Sequence, residues 1–202
     1  AVTEDAGQYR IDPLDCEGCG VCVDFCPEQA IDFPENTCGQ WFVSDTRFGT
    51  MVHARLGLAE ENSGKLVTLI RRETMQLAEE KGLGMILTDG PPGIACPAIS
   101  AVTGADMALI VTEPTLSGKH DMLRIADLCR RFGTAAAVVL NKADLSSAGS
   151  KEIEEACRDN GLPLLASIPF ILDVVHAVSQ ARIPSDELKD HLGTIWSRLG
   201  GM

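Results

Sequence analysis

The sequence predicts an α/β protein with a mostly parallel sheet flanked by helices, carrying a small cysteine-rich unit at its N-terminus. Four apolar runs carry the prediction, each ending abruptly at a polar or ring residue. Met85-Ile86-Leu87-Thr88 stops at Asp89, Ala108-Leu109-Ile110-Val111-Thr112 at Glu113-Pro114, Ala137-Val138-Val139-Leu140 at Asn141, and Leu164-Leu165-Ala166-Ser167-Ile168 at Pro169. Runs of this kind, with helical patterns between them, read as strands of a parallel sheet covered on both faces. Such sheets bind ligands outside their carboxyl ends. Asp89, Glu113, Asn141 and Pro169 are therefore expected along one edge.

Composition narrows the function. The 202 residues are 45% hydrophobic and only 4% aromatic, as suits a core of Ala, Val, Ile and Leu. A net charge of −12 argues against non-specific nucleic-acid binding, which needs lysine and arginine to displace counterions. No apolar run reaches the roughly 20 residues of a spanning helix, and no charged-then-apolar leader stands in these residues, so a cytoplasmic protein without membrane partners is expected. Of eight cysteines, those at 16, 19, 22 and 26 stand too close together for a disulfide framework, so metal ligation is the expectation.

In chain order, residues 1 to 10 are polar and carry no initiator methionine, which suggests a piece of something longer. Cys16-x2-Cys19-x2-Cys22-x3-Cys26-Pro27 then has the spacing of a bacterial ferredoxin-type [4Fe-4S] loop. Three thiolates in register hold irons of one cubane, and small residues let backbone amides approach its sulfides. In two-cluster proteins the fourth cysteine of this run serves the other cluster. Cys26 thus lacks a second motif here, Cys38 is the one nearby spare, and the missing half is expected upstream of Ala1.

From Cys38 to Gly64, Trp41-Phe42-Val43 reads as a short strand and 46–55 as a loop facing a nucleotide or the cysteine unit. Its Arg47, His53 and Arg55 either serve that contact or pair with carboxylates such as Glu60 and Glu61. Residues 63 to 81 form a helix opened by Ser63 and stopped by Gly82, with Leu66, Ile70, Leu77 and Ala78 on one stripe. Further helices are expected over 119–132 (Ser117 cap, Gly133 stop), 151–160, 173–181 and 185–199. The last sets Leu188, Leu192, Ile195, Trp196 and Leu199 on one side, facing the domain, since it lacks the basic face of a membrane-binding tail.

These features resemble the deviant-P-loop ATPases of the MinD/Mrp superfamily that contain an inserted ferredoxin domain. The likeness runs from Tyr9 to about Pro184. It rests on Asp12-Pro13 and the cysteine run, Thr46-Arg47-Phe48-Gly49, Val52-His53-Ala54-Arg55-Leu56-Gly57, Glu60-Glu61-Asn62-Ser63-Gly64-Lys65-Leu66-Val67, Asp89-Gly90-Pro91-Pro92-Gly93, Thr112-Glu113-Pro114-Thr115-Leu116-Ser117-Gly118 and Asn141-Lys142-Ala143-Asp144. The resemblance implies a partial ferredoxin-like insert over 1–37 and a MinD/ParA-like ATPase domain over 38–202. By it, Asp89 is the Walker B carboxylate on the magnesium shell, and Gly93 belongs to the loop that senses the γ-phosphate. Asn141 reads adenine, the backbone after Ile168-Pro169 closes the base pocket, and Cys16, Cys19, Cys22 and Cys26 hold the 4Fe-4S cluster. Asn141-Lys142-x-Asp144 equally resembles the guanine-reading run of GTPases. Structural roles stay open beside these: Asn141 as a cap, Asp89 as the cap of the turn at Gly90. Cys96, seven residues past Asp89, either ligates metal, as a cysteine at the similar place does in the nitrogenase iron protein, or packs beside Pro97.

The departure from the family is the absence of any G-x-x-x-x-G-K-[ST], the loop whose amides and lysine hold the β and γ phosphates. An isolated chain of these residues is expected neither to hydrolyse ATP nor to bind it tightly, and its sheet to lack a central strand. For the parent protein the resemblance implies ATP and magnesium, a homodimer, and a redox or apo-iron-sulfur protein as partner, in electron transfer or cluster carriage. Two alternatives stand against it: a ferredoxin-type electron carrier with a docking module, and a ligase related to cobyrinic acid a,c-diamide synthase.

Overall fold

The computed structural model describes residues 1–12, 15–16, 18–34, 37, 39–57, 64–184 and 186–200. Cys38 as a spare ligand, Ser63 as a cap and Glu60 and Glu61 as partners for the basic residues lie outside the described residues. The chain divides into two compact units, Ala1–Leu87 and Thr88–Met202.

In the first unit, β1 (Val2–Asp5) and β2 (Gln8–Ile11) pair antiparallel, with Asp5 opposite Gln8. Ala6 and Gly7 join them with φ of 49° and 78°, the positive pair that a tight two-residue hairpin needs to match strand twist. Every residue of both strands is exposed. The cysteine run follows and contains one short helix, α1 (Val21–Asp24).

A second hairpin corrects the loop expected over 46–55. β3 (Gly39–Thr46) takes in the expected strand at Trp41, and β4 (Gly49–Leu56) pairs with it from Gly39–Leu56 to Thr46–Gly49. The turn is fixed by Thr46, whose Oγ1 donates to the Gly49 carbonyl at 2.7 Å and accepts from Phe48 N at 3.1 Å. The helix expected over 63–81 is α2 (Gly64–Lys81), with Leu66, Ile70 and Leu77 half-buried and Ala78 buried. Its last residue returns to the hairpin, Lys81 Nζ donating to Thr50 Oγ1 at 2.7 Å.

The second unit is the βα part. It runs α3 (Cys96–Val102), β5 (Met107–Thr112), α4 (Leu116–Phe132), β6 (Ala135–Leu140), a 3-10 turn at Ala143–Leu145, α5 (Ser147–Asp159), β7 (Leu164–Ser167), α6 (Leu172–Ser179) and α7 (Asp186–Leu199). β5, β6 and β7 form one parallel sheet in that order. β6 is central and buried on both faces. Val138 and Leu140 join Ile110, Met122, Ala126 and Ile153 under α4 and α5, whereas Ala137 and Val139 join Leu165, Ile168, Ile171 and Ile195 on the other side. β6, covered on both faces in this way, reads as an unbroken apolar run; three of the four runs in the sequence are β5 to β7, although Leu109 and Val111 of β5 are exposed.

The fourth run is not a strand. Residues 85–90 hold no regular structure, and Leu87 is 92% exposed. Apolar sequence favours burial, but a strand also needs a hydrogen-bonding neighbour, and among the described residues the sheet ends at β5.

Helix starts shift for identifiable reasons. α4 is capped by Thr115, not Ser117: Thr115 is extended (φ −124°, ψ 159°) and its side chain accepts from Gly118 N. α5 begins four residues before the expected 151, because Ser146 caps it through Gly149 N. Gly133 ends α4 at φ 68°, as expected. In α7 Ile195 is buried and Leu188 and Leu199 pack beside it, but Leu192 and Trp196 are 50% and 60% exposed, so the expected stripe is only partly covered. No helix among the described residues is long and apolar enough to cross a membrane.

Candidate functional site

Three strand tips define the site. β5, β6 and β7 are parallel, and past an irregularity between Val138 and Val139 the pairing sets Thr112, Leu140 and Ser167 side by side at the strand ends, so the residues that follow share one edge of the sheet. The backbone keeps the tips joined beyond the strands: Asn141 N donates to the Thr112 carbonyl at 2.8 Å, Ile168 N to the Leu140 carbonyl at 2.8 Å, and Ala143 N to the Ile168 carbonyl at 2.9 Å. Glycines let the helix starts press against the same loops. A β-carbon on Gly118 would lie 2.5 Å from the Glu113 carbonyl oxygen, and one on Gly149 would lie 2.3 Å from that of Pro114.

Polar side chains then fix the loops. Lys142 holds a left-handed conformation at φ 55°, and its Nζ lies 2.6 Å from Glu113 Oε1. Asn141 Oδ1 accepts from Lys142 N at 3.0 Å. Asp144 Oδ1 accepts from Phe170 N at 2.6 Å, which ties the loop after β6 to the loop after β7. Beside them opens a cavity of about 300 Å³, lined by Asn141, Lys142, Pro169 and Phe170 and by apolar side chains such as Val139 and Ile195. Small-molecule sites have this character, an apolar wall with a few convergent polar groups.

Of the residues expected from sequence, the structure thus brings Asn141 and Pro169 to one cavity. Asp89 and Gly93 stand in the irregular segment before α3 and are not among its lining residues. Asp89 is exposed, and Gly93 has a φ of 80° that favours glycine. The roles of Glu113 and Phe170 as partners of Lys142 and Asp144 go beyond what the sequence reading assigned. The available signal was position alone, since both follow the end of an apolar run.

The four cysteines of the ferredoxin-type run lie in the first unit. Cys16 and Cys19 are exposed, and Cys22 and Cys26 are half-buried. Among the described residues no three Cys, His, Asp or Glu side chains are grouped to hold a metal ion; thiolate sites of this kind close as the metal binds. The loop nevertheless fits a cluster. It offers four thiols on one short stretch, two bends at Gly18 (φ 63°) and Gly20 (φ 75°), and a backbone amide, Ala30 N, already donating to Cys26 Sγ at 3.4 Å. Amide donors of this sort tune cluster sulfurs. Cys96 is exposed as the first residue of α3.

His53 and Arg47 of the second hairpin are accounted for locally. Ser44 Oγ lies 3.0 Å from His53 Nε2, the His53 ring stacks on Phe42 at 5.4 Å, and the Arg47 guanidinium lies 4.9 Å over Phe48.

A parallel βα sheet with Asn141 and Pro169 at its strand tips stands in one chain with a ferredoxin-type cysteine loop, which defines an α/β protein of the iron-sulfur class. Residues 9–32 match the 4Fe-4S binding domain family. The uncharacterized protein MJ0578 of Methanocaldococcus jannaschii is 31% identical over 168 residues, which are 83% of this chain and 55% of that protein. A putative septum site-determining protein MinD of Chlorella vulgaris is 29% identical over 161 residues, 72% of this chain and 54% of its own length. The crystal structure of the Pyrococcus furiosus cell division ATPase MinD matches with a TM-score of 0.54 at 23% identity, covering 72% of this chain and 61% of that one. The chain thus shares its fold with that MinD structure and carries a ferredoxin-type motif at residues 9–32. It spans about half the length of the curated relatives it matches.

Proposed function

We propose that the protein carrying this chain is an ATP-binding and ATP-hydrolysing switch, working as a homodimer, that controls how a 4Fe-4S unit meets a redox or apo-iron-sulfur protein partner, in electron transfer or cluster carriage. The observation that carries the reading is the convergence of Asn141 and Pro169, from the tips of two adjacent parallel strands, on one cavity. Asn141 offers an amide to the edge of the base, while the backbone at Ile168 and Pro169 walls the base in. Asp89 engages the magnesium shell, and the loop through Gly93 to Cys96 orders when the γ-phosphate is present and relaxes when it is lost.

Cys16, Cys19, Cys22 and Cys26 hold the cluster, which when bound supplies a one-electron couple. Cys26 is the ligand already provided with an amide donor. Coupling follows if the ordered loop alters the surface that the partner meets. The division into a ferredoxin-like insert over 1–37 and an ATPase domain over 38–202 is part of the same proposal.

The test uses the intact polypeptide prepared without oxygen. Asp89→Asn should keep ATP binding and lose most hydrolysis, and Cys19→Ser should lose iron and sulfide while ATP binding persists. Full hydrolysis by Asp89→Asn would remove the switch role, and full iron content in Cys19→Ser would remove the ligand set. Replacing Cys96 with serine leaves iron content and spectrum unchanged if that thiol only packs.

A further inference from the structure

We propose that Asp144 is a positioning residue that straps the base wall of the cavity in place, and does not read the base. The inference rests on the nucleotide reading above and deepens it. An Asn-Lys-x-Asp run can select guanine only when the aspartate faces the base, because its carboxylate is acceptor-only and must take the two neighbouring N–H groups of that base. In this structure Asp144 Oδ1 is engaged by Phe170 N at 2.6 Å, and Asp144 is not among the residues lining the cavity, whereas Asn141, Lys142, Pro169 and Phe170 are.

The main chain beneath Asp144 is held in place. Leu145 N donates to the Lys142 carbonyl at 3.1 Å, and Ser150 Oγ donates to the Ala143 carbonyl at 2.6 Å. From that fixed turn the carboxylate reaches across to the loop after β7, where Phe170 N stands ahead of α6 and has no place in the β6–β7 ladder. Hydrogen bonds to an ionised carboxylate are short and strong, and they hold a loop at a defined place. Base selection is left to the Asn141 amide and to backbone groups, and no carboxylate is among the described residues that line the pocket.

Two variants of the intact polypeptide test this, Asp144→Asn and Asp144→Ala, with binding of fluorescently labelled ATP, GTP and XTP and hydrogen exchange at the Phe170 amide without nucleotide. Asp144→Asn keeps an acceptor oxygen for Phe170, so ATP affinity should stay at the wild-type value with no gain of XTP binding. Asp144→Ala should speed exchange at Phe170 and weaken ATP binding by about tenfold, the effect of one hydrogen bond to a charged group. A carboxylate that reads the base behaves otherwise: Asp144→Asn would trade GTP for XTP, and that result overturns the proposal. Unchanged Phe170 exchange in Asp144→Ala overturns it as well. Wild-type protein that binds none of the three nucleotides defeats the nucleotide reading, and the exchange measurement still decides whether the strap exists.

Discussion

The Lys142 ammonium lies 2.6 Å from the Glu113 carboxylate, joining the second residue past β6 to the first residue past β5. Both side chains are over a third exposed, 35% and 44%, so the pair contributes at most about 1 kcal/mol. The backbone of Lys142 opposes it, since φ of 55° costs a non-glycine residue about 1–2 kcal/mol. Lys142→Ala should therefore lose the pair and keep the strain, while Lys142→Gly loses the pair and relieves it. Urea unfolding should rank glycine above alanine by about 1 kcal/mol; alanine equal or better would mean that the left-handed backbone is not strained.

Gly118 and Gly149 occupy the same place in two helices, three residues after the caps Thr115 and Ser146. Alanine there ordinarily stabilises a helix by about 1 kcal/mol. Here its β-carbon would meet a carbonyl oxygen at 2.5 or 2.3 Å, so Gly118→Ala and Gly149→Ala should each cost about 1–3 kcal/mol. A rise in melting temperature for either would show that the strand-tip loops yield easily.

Leu87 and Ile153 are both large aliphatic residues, 92% and 1% exposed. Truncating Leu87 to alanine should change stability by no more than about 0.5 kcal/mol, and truncating Ile153 should cost about 2–5 kcal/mol. A Leu87→Ala loss comparable to that of Ile153→Ala would place Met85–Leu87 in a packed strand after all.

Burial pushes the Cys129 and Cys157 thiols above their ordinary pKa, with Glu154 adding to the effect at Cys157. The unfolded thiols titrate near about 8.5, so above that pH the unfolded chain holds fewer protons than the native one. Stability from these groups is complete below that pH and is lost as pH rises through the raised native values. Thiol labelling at alkaline pH should reach exposed Cys96 first and Cys129 and Cys157 only on unfolding. Labelling of the buried pair in native protein at the rate of Cys96 would contradict this.

The parts legible in the sequence are those where local chemistry and tertiary position agree. Ala137–Leu140 is apolar throughout because both faces of β6 are covered, and Gly133 ends α4 wherever its start falls. The misses have separate causes. Met85–Leu87 carries the pattern of a buried strand, but pattern cannot supply a neighbour. β4 mixes Thr50, His53 and Arg55 with apolar residues on a hairpin covered on one side only, which hid its alternation. α3 was obscured by Pro97, which breaks a helix interior but is well placed in a first turn. At the site, Asn141 and Pro169 were readable as residues that end strands. The Asp144 to Phe170 contact joins side chain to backbone across 26 positions, and no local pattern records it.

Hydrogen exchange of the intact polypeptide with and without ATP and magnesium tests the nucleotide pocket most directly. Protection should appear at the amides of residues 141–145 and of Ile168, Phe170 and Ile171, in the two loops that line and strap the cavity, and should vanish in Asn141→Ala. Protection confined to other parts of the chain, or unchanged by Asn141→Ala, would mean that the tips of β6 and β7 do not hold the base.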